Sequence, residues 1–149
     1  MNEEAKSRAL RILEKRDVSW KMLIDKLTEK GISPEDAEDV ADWLTELRVI
    51  DDERYAGLVV RHYAAKGYGP RRIREELYHR GVPREYWDTA LEELPEQDDT
   101  LIRFIRSRLR GAEPTDENLR KIINALQRRG HGWEEIHTAV ERVRAEEQE

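Results

Sequence analysis

Apolar residues recur at helical spacing around three glycines. Gly31, Gly81 and Gly130 lie 50 and 49 residues apart, and the positions around them correspond. Four and eight residues before each glycine stand Leu27 and Leu23, Leu77 and Ile73, and Leu126 and Ile122. Six, ten and thirteen residues after it stand Ala37, Ala41 and Leu44 in the first copy, Trp87, Leu91 and Leu94 in the second, and Ile136, Val140 and Val143 in the third. Steps of four and then three place side chains on one helical face. A glycine just past such a stripe suits a helix end, where the left-handed conformation carries no Cβ clash. Ser33-Pro34 and Val82-Pro83 then restart a helix with proline in its first turn. Each copy therefore predicts a helix, a glycine stop and a second helix.

A further helix precedes each pair. Ala5, Ala9, Ile12 and Leu13 form one stripe, and Tyr55, Ala56, Val59, Tyr63 and Ala64 form the next, after Asp51 and Asp52. Leu101, Ile102, Ile105 and Leu109 form the third, after Asp98 and Asp99. Paired aspartates favour a helix N-terminus, where the peptide dipoles present positive charge. The pattern predicts an all-α chain of three tandem three-helix repeats, 1–50, 51–97 and 98–149. Pro95 marks the second boundary, and Gly111-Ala112-Glu113-Pro114 breaks the third repeat internally. Units this small bury little apolar surface alone, so the expectation is an elongated, curved array with extended binding surfaces.

Composition supports thin layers over one deep core, since hydrophobic residues are 38% of the chain and charged residues 40%. The absence of cysteine removes disulfides, thiolate metal sites and cysteine nucleophiles, and fits a reducing cytoplasm. No apolar run approaches the roughly 18–20 residues of a membrane span, and Glu3 and Glu4 replace a basic leader. A soluble, cytoplasmic protein with no membrane association is expected.

The formal net charge is -6, which argues against a dedicated DNA-binding domain. Its distribution is uneven. Residues 34–47 hold six carboxylates and no Lys or Arg, whereas 61–84 hold Arg61, Lys66, Arg71, Arg72, Arg74, Arg80 and Arg84 against Glu75 and Glu76. A second basic cluster comprises Arg103, Arg106, Arg108 and Arg110. Such clusters are either solvated faces or parts of a docking surface.

Signals for catalysis are thin. Gly67-Tyr68-Gly69-Pro70 lacks the spacing and lysine of a phosphate cradle, and no serine sits in a Gly-x-Ser-x-Gly turn. His131 and His137 are six apart, off the i, i+4 spacing of a helical metal pair; surface or capping roles are expected for all four histidines. No catalytic residue, metal or cofactor is expected. Trp87 shares a core register with Ala37 and Ile136, and Trp43 flanks the same face. Tyr68, between two glycines and beside Arg71 and Arg72, is either an exposed interface residue or folded back onto its own repeat.

Two segments carry a family resemblance. Ile50-Asp51-Asp52-Glu53-Arg54-Tyr55-Ala56 resembles the L-D-D-x-x-F/Y-A signature of the RecX family. Gly67-Tyr68-Gly69-Pro70-Arg71-Arg72-Ile73-Arg74-Glu75-Glu76-Leu77 resembles its G-x-G-P-x-R-I-x-x-E-L, at the family's intervening length. Ala5, Arg8, Ala9, Leu10, Leu13, Arg16 and Ser19 resemble the first unit, and Arg128-Arg129-Gly130 resembles the R-R-G-F element. Two departures stand out: Ser19-Trp20-Lys21-Met22-Leu23 replaces Ser-Arg-x-Glu-Leu, and His131 replaces the phenylalanine after the last glycine.

The resemblance implies a fold of tandem three-helix units and a non-enzymatic, monomeric regulator of the RecA recombinase. Such a protein binds the RecA–single-stranded DNA filament, blocks its extension, and lowers ATP hydrolysis, strand exchange and coprotease activity, with consequences for recombination, DNA repair and the SOS response. For such a protein, charge and loop placement make Tyr68, Arg71, Arg72 and Arg74 the first candidates for filament contact, and Arg103, Arg106 and Arg110 the second. The alternative is a direct DNA-binding protein of helix-turn-helix-like units; for a filament regulator, contact with bare DNA is weak.

Overall fold

The structure, a computed structural model, describes residues 1–94 and 97–148. The expected boundary at Pro95 lies outside the described residues. The described chain is all-helical, with α1 (Glu3–Lys15), α2 (Trp20–Glu29), α3 (Pro34–Glu46), α4 (Asp52–Ala65), α5 (Pro70–His79), α6 (Trp87–Leu91), α7 (Gln97–Leu109), α8 (Asp116–Arg128) and α9 (Trp133–Glu147). These form three successive three-helix groups. None of the described helices is long and apolar enough to cross a membrane.

The glycine stops fold as the spacing predicts. Gly31, Gly81 and Gly130 adopt φ of 91°, 71° and 90°. At each, the next residue's N–H returns to the carbonyl five residues back: Ile32 to Leu27 at 3.1 Å, Val82 to Leu77 at 3.0 Å and His131 to Leu126 at 3.1 Å. The glycine's own N–H donates to the carbonyl three residues back. This Schellman pattern satisfies carbonyls that a helix end leaves open and turns the following side chain against the helix it closes. Ile32, Val82 and His131 are accordingly all buried.

The chain divides into two compact units, one of Met1–Val59 and Glu76–Ala90, the other of Val60–Glu75 and Leu91–Glu149. In the first, α1, α2 and α3 enclose Ala5, Ala9, Leu23, Leu27, Val40, Ala41 and Leu44. Ser19 and Ser33 cap α2 and α3 by accepting hydrogen bonds from the Met22 and Asp36 N–H groups. Trp20, where the family's arginine would stand, donates its backbone N–H to Asp52 and its indole N–H to Asp42, each at 2.9 Å. Trp87 is buried as expected, its indole N–H donating to the Val82 carbonyl at 2.8 Å. The helix after Gly81 differs from the expectation. It opens with a 3-10 turn at Arg84–Tyr86 and runs only from Trp87 to Leu91 as α-helix. Its shortness leaves Leu91 and Leu94 half-buried, and Ala90 takes the core position.

In the second unit, α7, α8 and α9 bury Leu101, Ile105, Leu119, Leu126, Ile136, Ala139 and Val143. The break at residues 111–114 lies between α7 and α8, and Thr115 caps α8 through the Asn118 N–H.

Candidate functional site

The second unit brings two sequence-distant loops into backbone contact. The turn joining α4 to α5 lies on the turn joining α8 to α9. The Gly69 N–H donates to the Arg129 carbonyl at 2.7 Å, and the Arg71 N–H to the Gly130 carbonyl at 3.2 Å. A Cβ on Gly69 would stand 2.6 Å from the Gly130 oxygen, so approach this close requires a residue without one.

Two arginines tie the same loops reciprocally. The Arg71 guanidinium donates to the Gln127 carbonyl in the last turn of α8 at 2.6 Å, and the Arg129 guanidinium donates to the Lys66 carbonyl just past α4 at 2.9 Å. Each cation thus meets the carbonyl-rich end of the other segment's helix, where the dipole favours positive charge. The residues of both motifs therefore have a structural task, since Gly69, Arg71, Arg129 and Gly130 build one joint.

Tyr68 folds back onto its own unit and is half-buried. Its ring stands edge-on to Tyr63, with centroids 5.7 Å apart, and the Arg72 and Arg129 guanidinium groups lie 5.6 and 5.9 Å from its centre. Arg129 also lies 5.1 Å from the Phe104 ring, and Arg72 pairs with Glu75 at 3.7 Å. Cation–π contacts at such partly exposed sites contribute about 0.5–1 kcal/mol each. Of the two alternatives for Tyr68, the packed one is observed.

Arg71 and Arg74 are exposed on one side of α5, while Ile73 and Leu77 turn fully inward. Together with Gln127, Trp133, Glu135 and the Gly130–Gly132 segment these two arginines line an open cleft of about 590 Å³. The second candidate set lies elsewhere on the unit. Arg103 is exposed on α7, Arg106 forms an ion pair with Glu146 at a separate cleft, and Arg110 stands just past α7 with φ of 51°. The first four candidates thus divide between a packed cluster (Tyr68, Arg72) and a cleft (Arg71, Arg74).

The structure departs from the sequence expectation at His131 and adds Trp133 to the cleft. His131, expected at the surface or as a cap, is only 5% exposed. It occupies the slot of Ile32 and Val82, and its Nε2 lies 2.9 Å from the Gly67 carbonyl. A carbonyl can only accept, so the neutral ring donates through Nε2–H. Burial lowers its pKa, with the Arg129 charge acting the same way; the Gly67 hydrogen bond and Glu135 oppose the shift. Trp133, for which the sequence carries no motif, is 61% exposed at the cleft and stacked on His137 at 6.1 Å. Its signal was available: three residues past the glycine, the other repeats hold exposed Pro34 and Arg84.

The buried histidine makes stability depend on pH. Its folded pKa lies below the ordinary 6.5, so the unfolded chain takes up the proton first as pH falls. The stabilisation is complete above about pH 6.5 and is lost as pH falls through that value towards the folded pKa. His131→Ile, which restores the residue type of the other repeats, should flatten the urea-midpoint profile between about pH 7.5 and 5.5 relative to the parent. Parallel profiles for the two proteins would show that this histidine is not responsible.

Three-helix repeats without a strand among the described residues define the class as an all-α helical-repeat protein. Comparison with known proteins narrows the class. Models of the first and second three-helix domains of RecX match residues 5–44 and 51–91. Regulatory protein RecX of Xanthomonas axonopodis pv. citri is 38% identical over 135 residues, spanning 89% of this chain and 83% of its own. That of Vibrio campbellii is 32% identical over 138 residues, spanning 91% and 89%. The crystal structure of RecX from Lactobacillus salivarius has the same fold, with a TM-score of 0.84 over 95% of each chain at 20% identity. The chain belongs to the RecX family.

Proposed function

We propose that this protein is a non-enzymatic, cytoplasmic, monomeric regulator that binds the RecA–single-stranded DNA filament and inhibits its extension, and with it ATP hydrolysis, strand exchange and coprotease activity. The observation that carries this reading is the 38% identity to a regulatory protein RecX across nearly the whole chain. Segregated charge supports it: exposed Arg71, Arg74, Arg103 and Arg110 on a chain of net charge -6 suit specific anionic features of a partner better than a bare polyanion. Tyr68 and Arg72 contribute by holding the loop that presents Arg71 and Arg74. Arg106 borders the second patch.

Replacing Arg71, Arg72 and Arg74 together with alanine should raise the concentration needed for half-inhibition of RecA ATP hydrolysis by about tenfold or more, the equivalent of about 1.4 kcal/mol of binding. Helicity by circular dichroism should change little, because Ile73 and Leu77 keep α5 anchored. Unchanged inhibition would remove this surface from the contact. A direct DNA binder predicts instead tight binding to bare single strands that collapses with salt.

A further inference from the structure

We propose that the cleft between the start of α5 and the start of α9 receives an acidic segment of a protein partner. An apolar or aromatic side chain of that segment lies on the Trp133 indole, and its carboxylates meet Arg71 and Arg74. This rests on the reading that the chain acts by binding another protein.

Trp133 is the first observation. Its slot is an exposed one in every repeat, holding Pro34 and Arg84 elsewhere, so folding supplies no reason for the largest side chain there. The indole is nonetheless ordered by stacking on His137, one turn further along α9, with the rings 24° from parallel. Rigid, exposed aromatic area beside arginine is the residue chemistry of an interface anchor.

Charge and shape then choose the occupant. Arg71 is fixed by its bond to the Gln127 carbonyl, and a guanidinium has further donors to offer a carboxylate. The cleft holds about 590 Å³, room for a few side chains of an extended segment but not for a globular surface. Glu134 and Glu135 flank the indole in the first turn of α9. A nucleic-acid strand, with a phosphate at every nucleotide, would set charge against them, whereas a peptide can carry its carboxylates at the arginine side alone.

The test uses fluorescein-labelled twelve-residue peptides of Asp, Glu and Ser with Phe, Tyr, Leu, Met or Ala at the centre, read by anisotropy against the full chain. Expected is tighter binding of an apolar-centred peptide than of the Ala-centred one, weakened about fivefold or more by Trp133→Ala and by Arg74→Ala. Equal binding of all centres, or binding indifferent to Trp133→Ala, would overturn the proposal. Trp133-dependent binding of labelled oligo(dT) in place of the peptides would overturn it in favour of nucleic acid. RecA ATP hydrolysis is measured in parallel with both variants. Peptide binding without inhibition by the parent protein would sink the filament reading and leave the cleft standing. Full inhibition by Trp133→Ala would sink the cleft and leave the filament reading.

Discussion

Replacing Gly130 with alanine is expected to destabilise the second unit by about 3–5 kcal/mol, against about 1–2 for the same change at Gly31. Both glycines close a helix with φ near 90°, so both variants carry the penalty of a left-handed L-residue. Their surroundings differ. A Cβ at Gly31 meets nothing within 4 Å, whereas one at Gly130 would stand 2.4 Å from the Arg72 nitrogen and 2.7 Å from its Cβ. The clash is with backbone, so the two loops must part. The Gly69 to Arg129 and Arg71 to Gly130 hydrogen bonds then weaken together, at about 1 kcal/mol each. Urea unfolding of the two variants measures the difference. Equal losses would mean that the close approach of the loops contributes nothing.

The second large effect is expected at Ser19. Its hydroxyl is fully buried and makes two bonds, accepting from the Met22 N–H at 3.1 Å and donating to the Arg80 carbonyl at 2.5 Å. Ser19→Ala removes a helix cap worth about 1 kcal/mol and a buried bond to a helix-terminal carbonyl worth about 1–3 more. Ser33, an exposed cap with only the local bond to Asp36, should cost about 1 kcal/mol when changed to alanine. The contrast separates a local capping role from a long-range one within the first unit. If Ser19→Ala and Ser33→Ala shift the urea midpoint equally, the bond to Arg80 contributes nothing to stability.

Most of the fold is legible because it is local. The Gly31, Gly81 and Gly130 stops, the helix restart at Ser33-Pro34 and the apolar stripes each depend on residues within a few positions of one another. The positional logic of the repeats extends to the residues just past each glycine. One residue past the glycine is a core slot and three past it an exposed one, which marks His131 as buried and Trp133 as presented. Leu91 and Leu94 escaped because the 3-10 turn at Arg84–Tyr86 shortens the helix that periodicity had extended. The joint was illegible for another reason. Arg71 to Gln127 and Arg129 to Lys66 span 56 and 63 residues, and no periodicity reports contacts at that separation. Charge and loop composition alone marked Arg71 and Tyr68 as surface binders, whereas both also serve the packing of their own unit.

Regulation of the recombinase is tested most directly by titrating this protein into single-stranded-DNA-dependent ATP hydrolysis by RecA at moderate salt. Inhibition well below one molecule per recombinase subunit is the result expected of a protein that acts on filament ends or cooperative assembly. Hydrolysis unaffected by folded protein, or reduced only when the protein coats the DNA stoichiometrically, would contradict it.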